Sequence, residues 1–273
     1  MTSDDIQNAQ YQSTENLDAR ILLHRRFTPP GKDMWDFVWD NYAFKKTDQV
    51  LEVGCGTGEF WTHPDRLIAP DMPVFLTDRS FGMVEHTRRR LESLFNAAHF
   101  GVAEAEALPY SSNRFRVVLA HFMLYHVADK QQALREFNRV LIEKGWVGII
   151  LLGPASMASI SNRILRMNPD INLVPSDAAV FNADTADPVI RSVFPVVSRY
   201  DYKYTMRVDD PDIILNYAQS MPSIQKLNLD DAFWGKYRDS VLSDIMGHGS
   251  FDVAKSCSLF ICQKKGQVNN GYK

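Results

Sequence analysis

The strongest chemical signal in the chain lies in one short stretch, Val50-Leu51-Glu52-Val53-Gly54-Cys55-Gly56-Thr57-Gly58, where an acid and three glycines stand at alternate positions. An apolar strand running into such a loop makes a tight turn and lets backbone approach a ligand at the carboxyl end of a sheet. A dinucleotide fingerprint would read Gly-x-Gly-x-x-Gly. Here the third glycine arrives one residue early, and Glu52 precedes the first glycine by two. Asp78 closes the next apolar run, Val74-Phe75-Leu76-Thr77. A carboxylate about 20 residues after the glycine loop, at the end of the second strand, can accept both hydrogen bonds of a ribose diol. The same side chain can cap a helix beginning at Arg79. A third group follows the apolar run Phe115 to Ala120: His121, Tyr125 and His126. Residues just past such a strand lie on the side where open α/β sheets bind ligands, and histidine is the natural base near neutral pH.

These side chains need a sheet to hold them. Between Gln49 and Gly153 short apolar runs alternate with helical patterns, the sequence form of a parallel sheet with crossover helices. Strands are expected at Val50 to Val53, Val74 to Thr77, His99 to Val102, Arg116 to Ala120 and Val147 to Leu152. Helices are expected at Arg79 to Phe95 and at Asp129 to Leu141, the latter with Leu134, Phe137 and Leu141 on one face and Gly145 as carboxyl cap. Upstream, Asn16 to Trp39 reads as helical with a break at Pro29-Pro30-Gly31. Downstream, helical stretches near Ile160 to Met167, Ala178 to Phe194 and Pro211 to Ser220 surround a period-two run, Val197 to Val208, and a last strand is expected at Ser258 to Gln263. The fold class is therefore α/β, a doubly wound, Rossmann-like, mostly parallel sheet with a carboxyl-terminal α/β elaboration. Its expected parts are a helical segment over 1–44, a core over 45–153, a pocket-forming elaboration over 154–247 and a final strand with polar tail over 248–273.

Composition narrows the function. The chain has 273 residues, 45% hydrophobic and 23% charged, with a net charge of -3, which places it among ordinary globular proteins. Without a long Lys/Arg stripe it lacks the electrostatic footprint of a nucleic-acid or membrane binder. The basic run Arg88-Arg89-Arg90 reads as the solvated face of a helix. Cys55, Cys257 and Cys262 neither form a disulfide framework nor combine with histidines at metal-ligand spacing, so no metal is expected. The amino terminus has no basic start followed by an apolar stretch, and no segment reaches about 18 apolar residues. A cytoplasmic location is the expectation.

The glycine loop with its leading acid resembles the S-adenosylmethionine-binding loop of class I S-adenosylmethionine-dependent methyltransferases of the small-molecule type. The likeness continues through Val102-Ala103-Glu104-Ala105-Glu106-Ala107-Leu108-Pro109-Tyr110, where the family carries an acid a few residues before Leu-Pro that binds the adenine amino group. It also continues through Phe115 to Val127 and Ala133-Leu134-Arg135-Glu136-Phe137-Asn138-Arg139-Val140-Leu141. It is firm over roughly residues 45 to 153. Two departures are Glu104 where the family usually has Asp, and Arg116 where it commonly has an aspartate. The resemblance implies a cofactor set of Glu52, Gly54, Cys55, Gly56, Gly58, Asp78, Arg79, Met83, Glu104, Ala105 and His121, with Glu106 second to Glu104. Weaker similarities around Asn16 to His24 and Gly249 to Lys255 imply that the 1–44 segment is a lid over the cofactor, adding Tyr11, Arg20 or His24.

Methyl transfer is an in-line displacement at a sulfonium methyl, so catalysis comes chiefly from collinear positioning. A hydroxyl or carbon acid also needs a base, for which His126 comes first and His121 second, with Tyr125 beside them. Residues 154 to 247 carry Phe181, Tyr200, Tyr202, Tyr204, Met206, Tyr217, Met221, Phe233 and Trp234, which suits a small apolar or aromatic acceptor of specialised metabolism. The expected partner is that small molecule alone. The rival functions are a cyclase or pericyclase that uses the sulfonium electrostatically, and a non-catalytic cofactor-binding regulator.

Overall fold

The computed structural model describes residues 22–31, 33–63 and 69–264. Seven strands, β1 (Val50–Val53), β2 (Val74–Asp78), β3 (Ala98–Val102), β4 (Phe115–His121), β5 (Leu141–Leu152), β6 (Val196–Val208) and β7 (Phe251–Gln263), form one sheet in the order β3-β2-β1-β4-β5-β7-β6. The α-helices with defined ends among the described residues are α1 (Met34–Asn41), α2 (Phe81–Leu91), α3 (Lys130–Val140), α4 (Ala158–Met167), α5 (Asp177–Val180), α6 (Ala183–Val193), α7 (Pro211–Ser220), α8 (Pro222–Gln225) and α9 (Asp231–His248). Contacts divide the chain into two compact units. The sheet unit comprises Met34–Leu152, Phe181–Tyr202 and the chain from Cys257, and the second unit takes the stretch up to Asp33, Gly153–Val180 and Lys203–Ser256.

In the sheet unit β1 to β5 are parallel neighbours, with Leu51 beside Phe75 on one side and Val118 on the other. β7 runs antiparallel along β5, from Trp146 opposite Gln263 to Leu152 opposite Cys257. All four residues of β1 are buried, the mark of a central strand covered on both faces. The strand order reverses between β1 and β4, and at such a switch point the carboxyl ends of the strands open a crevice. Leu134, Phe137 and Val140 of α3 and Ala186 and Ile190 of α6 pack with Leu51, Val118, Ile149 and Phe260 in one buried cluster. Full burial of each large apolar side chain is worth about 1.5–3 kcal/mol. The doubly wound class expected from the sequence is the class observed.

In the second unit Ile160 and Ile164 of α4, Ile214 of α7, Tyr237 and Val241 of α9, and Met206 and Val253 surround a separate core that also takes Leu23. Tyr237 satisfies its buried hydroxyl by donating to the Ile160 carbonyl at 3.1 Å. Helical backbone runs over 22–27 and resumes at Met34, on either side of the Pro29-Pro30-Gly31 break.

Three expectations change, and one helix appears that the sequence did not announce. Gly145 does not cap α3: the helix ends at Val140, Leu141 is already extended, and Gly145 sits inside β5 where a Cβ would meet the Arg116 carbonyl at 2.9 Å. The helix expected over Ala178 to Phe194 is two, because the Asn182 side chain caps α6 by accepting the Asp184 and Thr185 amides while its own amide donates to the Thr185 hydroxyl. β7 begins at Phe251, well before Ser258. Among the described residues the longest helix, α9, has only Tyr237 and Val241 fully buried and so lacks the apolar stripe by which a helix is recognised. Among the described residues no helix is long and apolar enough to cross a membrane.

Candidate functional site

β1 delivers the glycine loop to the crevice. The Gly54 and Cys55 amides both donate to the Thr77 carbonyl, at 2.8 and 2.9 Å, which ties the loop to the end of β2. Gly54 has φ 73°, and a Cβ there would lie 2.6 Å from Met123 Cβ, so only glycine fits. Gly56 differs: a Cβ there would meet nothing within 4 Å, so its backbone faces open space. The Gly56 amide donates to Asp78 Oδ2 at 3.0 Å, and the Ser80 amide donates to Oδ1 at 2.8 Å. Burial raises the Asp78 carboxyl above its ordinary range, while those two amides and the charge of His126 pull it back. Each carboxylate oxygen retains a further lone-pair direction for a ligand. Thr87 of α2 donates to the Gly56 carbonyl at 2.6 Å and lies 3.9 Å from Cys55 Sγ. Burial pushes the Cys55 thiol well up, so this cysteine packs rather than reacts. Met83, also on α2, is buried against the same wall.

Beneath the loop runs a buried chain of polar groups. Glu52 Oε2 accepts from Trp61 Nε1 at 2.5 Å, and Oε1 lies 3.0 Å from His121 Nδ1. On the other side of the ring His121 Nε2 is hydrogen-bonded to the Tyr42 hydroxyl at 2.9 Å, so both imidazole nitrogens are engaged. The side chains of Glu52 and His121 are each 3% exposed. Trp35, Tyr42 and Phe60 pack on the imidazole, with ring centroids 5.5, 5.9 and 4.8 Å away. The Tyr42 ring in turn requires Gly148, where a Cβ would stand 2.2 Å from its hydroxyl. Sequence reasoning found Glu52 and His121 but missed Tyr42, Trp35 and Trp61. No local pattern connects Tyr42 to a histidine 79 residues away.

Past β4, Phe122 turns left-handed at φ 54° and places Met123 against Gly54. A short 3-10 turn, Leu124–His126, follows, and the Tyr125 and His126 rings meet edge to face at 4.5 Å. His126 is thus carried on a turn at the carboxyl end of the sheet, close enough to Asp78 for their charges to act on one another. Arg79 and Glu104 are exposed partners, Nε to Oε1 3.5 Å. Ala105 next to them is buried. Glu106 turns to the α3 entrance, where Oε1 accepts the Ala128 and Asp129 amides. Tyr11 and Arg20 lie outside the described residues. His24 belongs to the second unit, edge-on to Tyr217 at 6.4 Å, and burial together with the Lys255 charge pushes it down to about 3.

Comparison with known proteins agrees with this geometry. The family described as a methyltransferase domain matches residues 51–149. The ubiquinone/menaquinone biosynthesis C-methyltransferase UbiE of Pasteurella multocida is 36% identical over 107 residues, 38% of this chain and 40% of the relative. The match thus spans about two fifths of that relative's length. The structure of a methyltransferase from Aquifex aeolicus that depends on S-adenosylmethionine superposes with a TM-score of 0.52 at 12% identity, covering 92% of this chain and 98% of that one. The [4+2]-cyclase SpnF superposes at 0.53 with 16% identity, covering 85% and 80%. Such distant likenesses show the fold alone. The fold, the glycine loop and the domain match together define the class of the core: residues 51–149 form a methyltransferase domain with the class I, S-adenosylmethionine-dependent architecture. The cofactor of that class is S-adenosylmethionine, and the residues present fit it, with an uncrowded backbone at Gly56 and the Asp78 carboxylate beside it.

Proposed function

We propose that the chain transfers the methyl group of S-adenosylmethionine to a small apolar or aromatic acceptor, with an activated carbon as the first acceptor chemistry to test. The observation that carries the reading is the Gly56–Asp78 pair, an open backbone cradle bonded to a carboxylate at the switch point of the sheet. The carbon preference rests on the C-methyltransferase relative aligned with the core.

When bound, the cofactor supplies an electrophilic methyl on a sulfonium. In this reading Asp78 accepts the ribose hydroxyls, and the Gly54 to Gly58 backbone lies under the amino-acid end. Arg79, Met83, Glu104 and Ala105 border the base. Glu52 and His121 act as positioning residues: both His121 nitrogens are engaged and its side chain is buried, so it holds the floor of the loop rather than meeting an acceptor. His126 is the proposed general base, taking a proton from a carbon or oxygen acid as the new bond forms. Tyr125 accompanies it on the same turn.

The test is to incubate the purified chain with S-adenosylmethionine and a panel of hydroxylated aromatic and quinol acceptors. Formation of S-adenosylhomocysteine in step with a methylated product is the expected result. Acceptor turnover without S-adenosylhomocysteine would overturn it in favour of sulfonium-assisted cyclisation.

A further inference from the structure

The second unit contains a cleft of about 410 Å³ whose chemistry the methyl-transfer reading does not use. Its walls come from α4, the end of β6, α9 and the start of β7, and they carry Arg163, Arg166 and Arg207. Two carboxylates share the lining, Asp244 and Asp252. Three guanidinium groups against two carboxylates leave one positive charge in excess.

The arginines are also incompletely satisfied. Arg163 pairs with Asp244 through one terminal nitrogen and stacks on Phe251, guanidinium carbon 5.4 Å from the ring centroid. Its Nε–H is buried with no acceptor among the described residues, as is the nearby Ser159 hydroxyl. Arg166 is exposed and makes no hydrogen bond or ion pair with any described residue. Arg207 donates to Ser250 Oγ at 3.3 Å, while Asp252 is 4.0 Å away and is itself occupied by the Ser250 hydroxyl. Burial first, and then the Arg166 charge, pull Arg163 below its ordinary value. Native structures rarely leave buried donors orphaned, and guanidinium forks match the oxygens of a phosphate in geometry and charge.

We propose that this cleft binds a small molecule through a phosphate group, with the oxyanion taken by Arg163, Arg166 and Arg207 and the Ser159 hydroxyl beside it. A cavity of this size has room for a phosphate and the body attached to it, since small-molecule sites run from about 300 to 1,000 Å³. The inference rests on the second unit alone and stands or falls apart from the methyl-transfer reading.

The experiment is thermal melting of the full chain at constant ionic strength, with sodium chloride exchanged for inorganic phosphate or for a sugar phosphate. Both are expected to raise the melting temperature above the chloride value. A sugar phosphate acting at tenfold lower concentration would show that the attached body is bound too, and equal potency would narrow the ligand to the free ion. Arg166 is exposed, so Arg166→Glu should fold, and it should weaken either ligand at least tenfold while leaving the shift caused by S-adenosylmethionine unchanged. Arg166→Gln should fall between. No stabilisation beyond chloride, or potency within twofold of wild type in Arg166→Glu, would overturn the proposal.

Discussion

Buried polar groups are handled in opposite ways beneath the glycine loop and around the cleft of the second unit. In the sheet unit the groups under the glycine loop are paired end to end: Trp61, Glu52, His121 and Tyr42 form one chain in which each member finds a partner. In the second unit the polar groups facing the cleft are left over, with the Arg163 Nε–H and Ser159 hydroxyl orphaned and Arg166 unanswered among the described residues. A closed network fixes one geometry, which suits a floor that must hold a cofactor loop still. An open one keeps donors in reserve, which suits a site completed by a ligand.

The contrast can be broken most sharply at the turn after β4. His126→Ala should lower kcat by about 10² to 10⁴ if the acceptor is a carbon or oxygen acid, with the S-adenosylmethionine shift retained. The acidic limb of the wild-type pH–rate profile should vanish with it. A near-wild-type rate with that limb intact would remove His126 from the chemistry and point to proximity alone.

Next in size is Asp78→Ala, which deletes the carboxylate that joins Gly56 to the α2 entrance. Loss of charge-assisted bonds to a ribose should weaken cofactor binding about 100-fold, equivalent to some 2.7 kcal/mol of ligand-linked stability. The readout is the melting shift with S-adenosylmethionine. A variant that keeps the full shift would place the ribose elsewhere.

A smaller effect tests whether the polar chain is structural. Tyr42→Phe leaves His121 Nε2 buried without its hydroxyl partner, a loss of about 1–3 kcal/mol. The melting temperature of the free protein should fall by several degrees, roughly 3–10 °C, while KM for the cofactor moves less than twofold. A large KM change with unaltered stability would make Tyr42 a binding residue instead.

The smallest effect belongs to the second unit and depends on pH. His24 is held down to about 3 by burial, against about 6.5 in an unfolded chain. On acidification the unfolded state therefore takes the proton first. The stabilising contribution is complete above pH 6.5 and is lost as pH falls from there toward 3. The loss is about 1.4 kcal/mol per pH unit within that window, or near 2 kcal/mol at pH 5. Denaturant melts of wild type and His24→Gln from pH 7.5 to 5 should converge. Parallel curves would mean that His24 does not titrate on unfolding.

Much of this protein was determined by sequence alone, because the determinants are local. Alternation of apolar runs with helical patterns specifies a doubly wound sheet, and Gly54 to Gly58 with Asp78 marks the end of that sheet at which open α/β folds bind ligands, since backbone curvature and strand ends are encoded within a few residues. Tertiary structure decided what depends on distant partners. That His121 is walled in between Tyr42 and Glu52, that Gly145 serves a strand rather than a helix end, that α9 forms with little apolar stripe, and that Arg163 and Arg166 of α4 meet the distant Arg207 of β6 in one cleft all follow from contacts across long sequence separations. Side-chain identity constrains such contacts only weakly, because burial and pairing are settled when the elements close on one another.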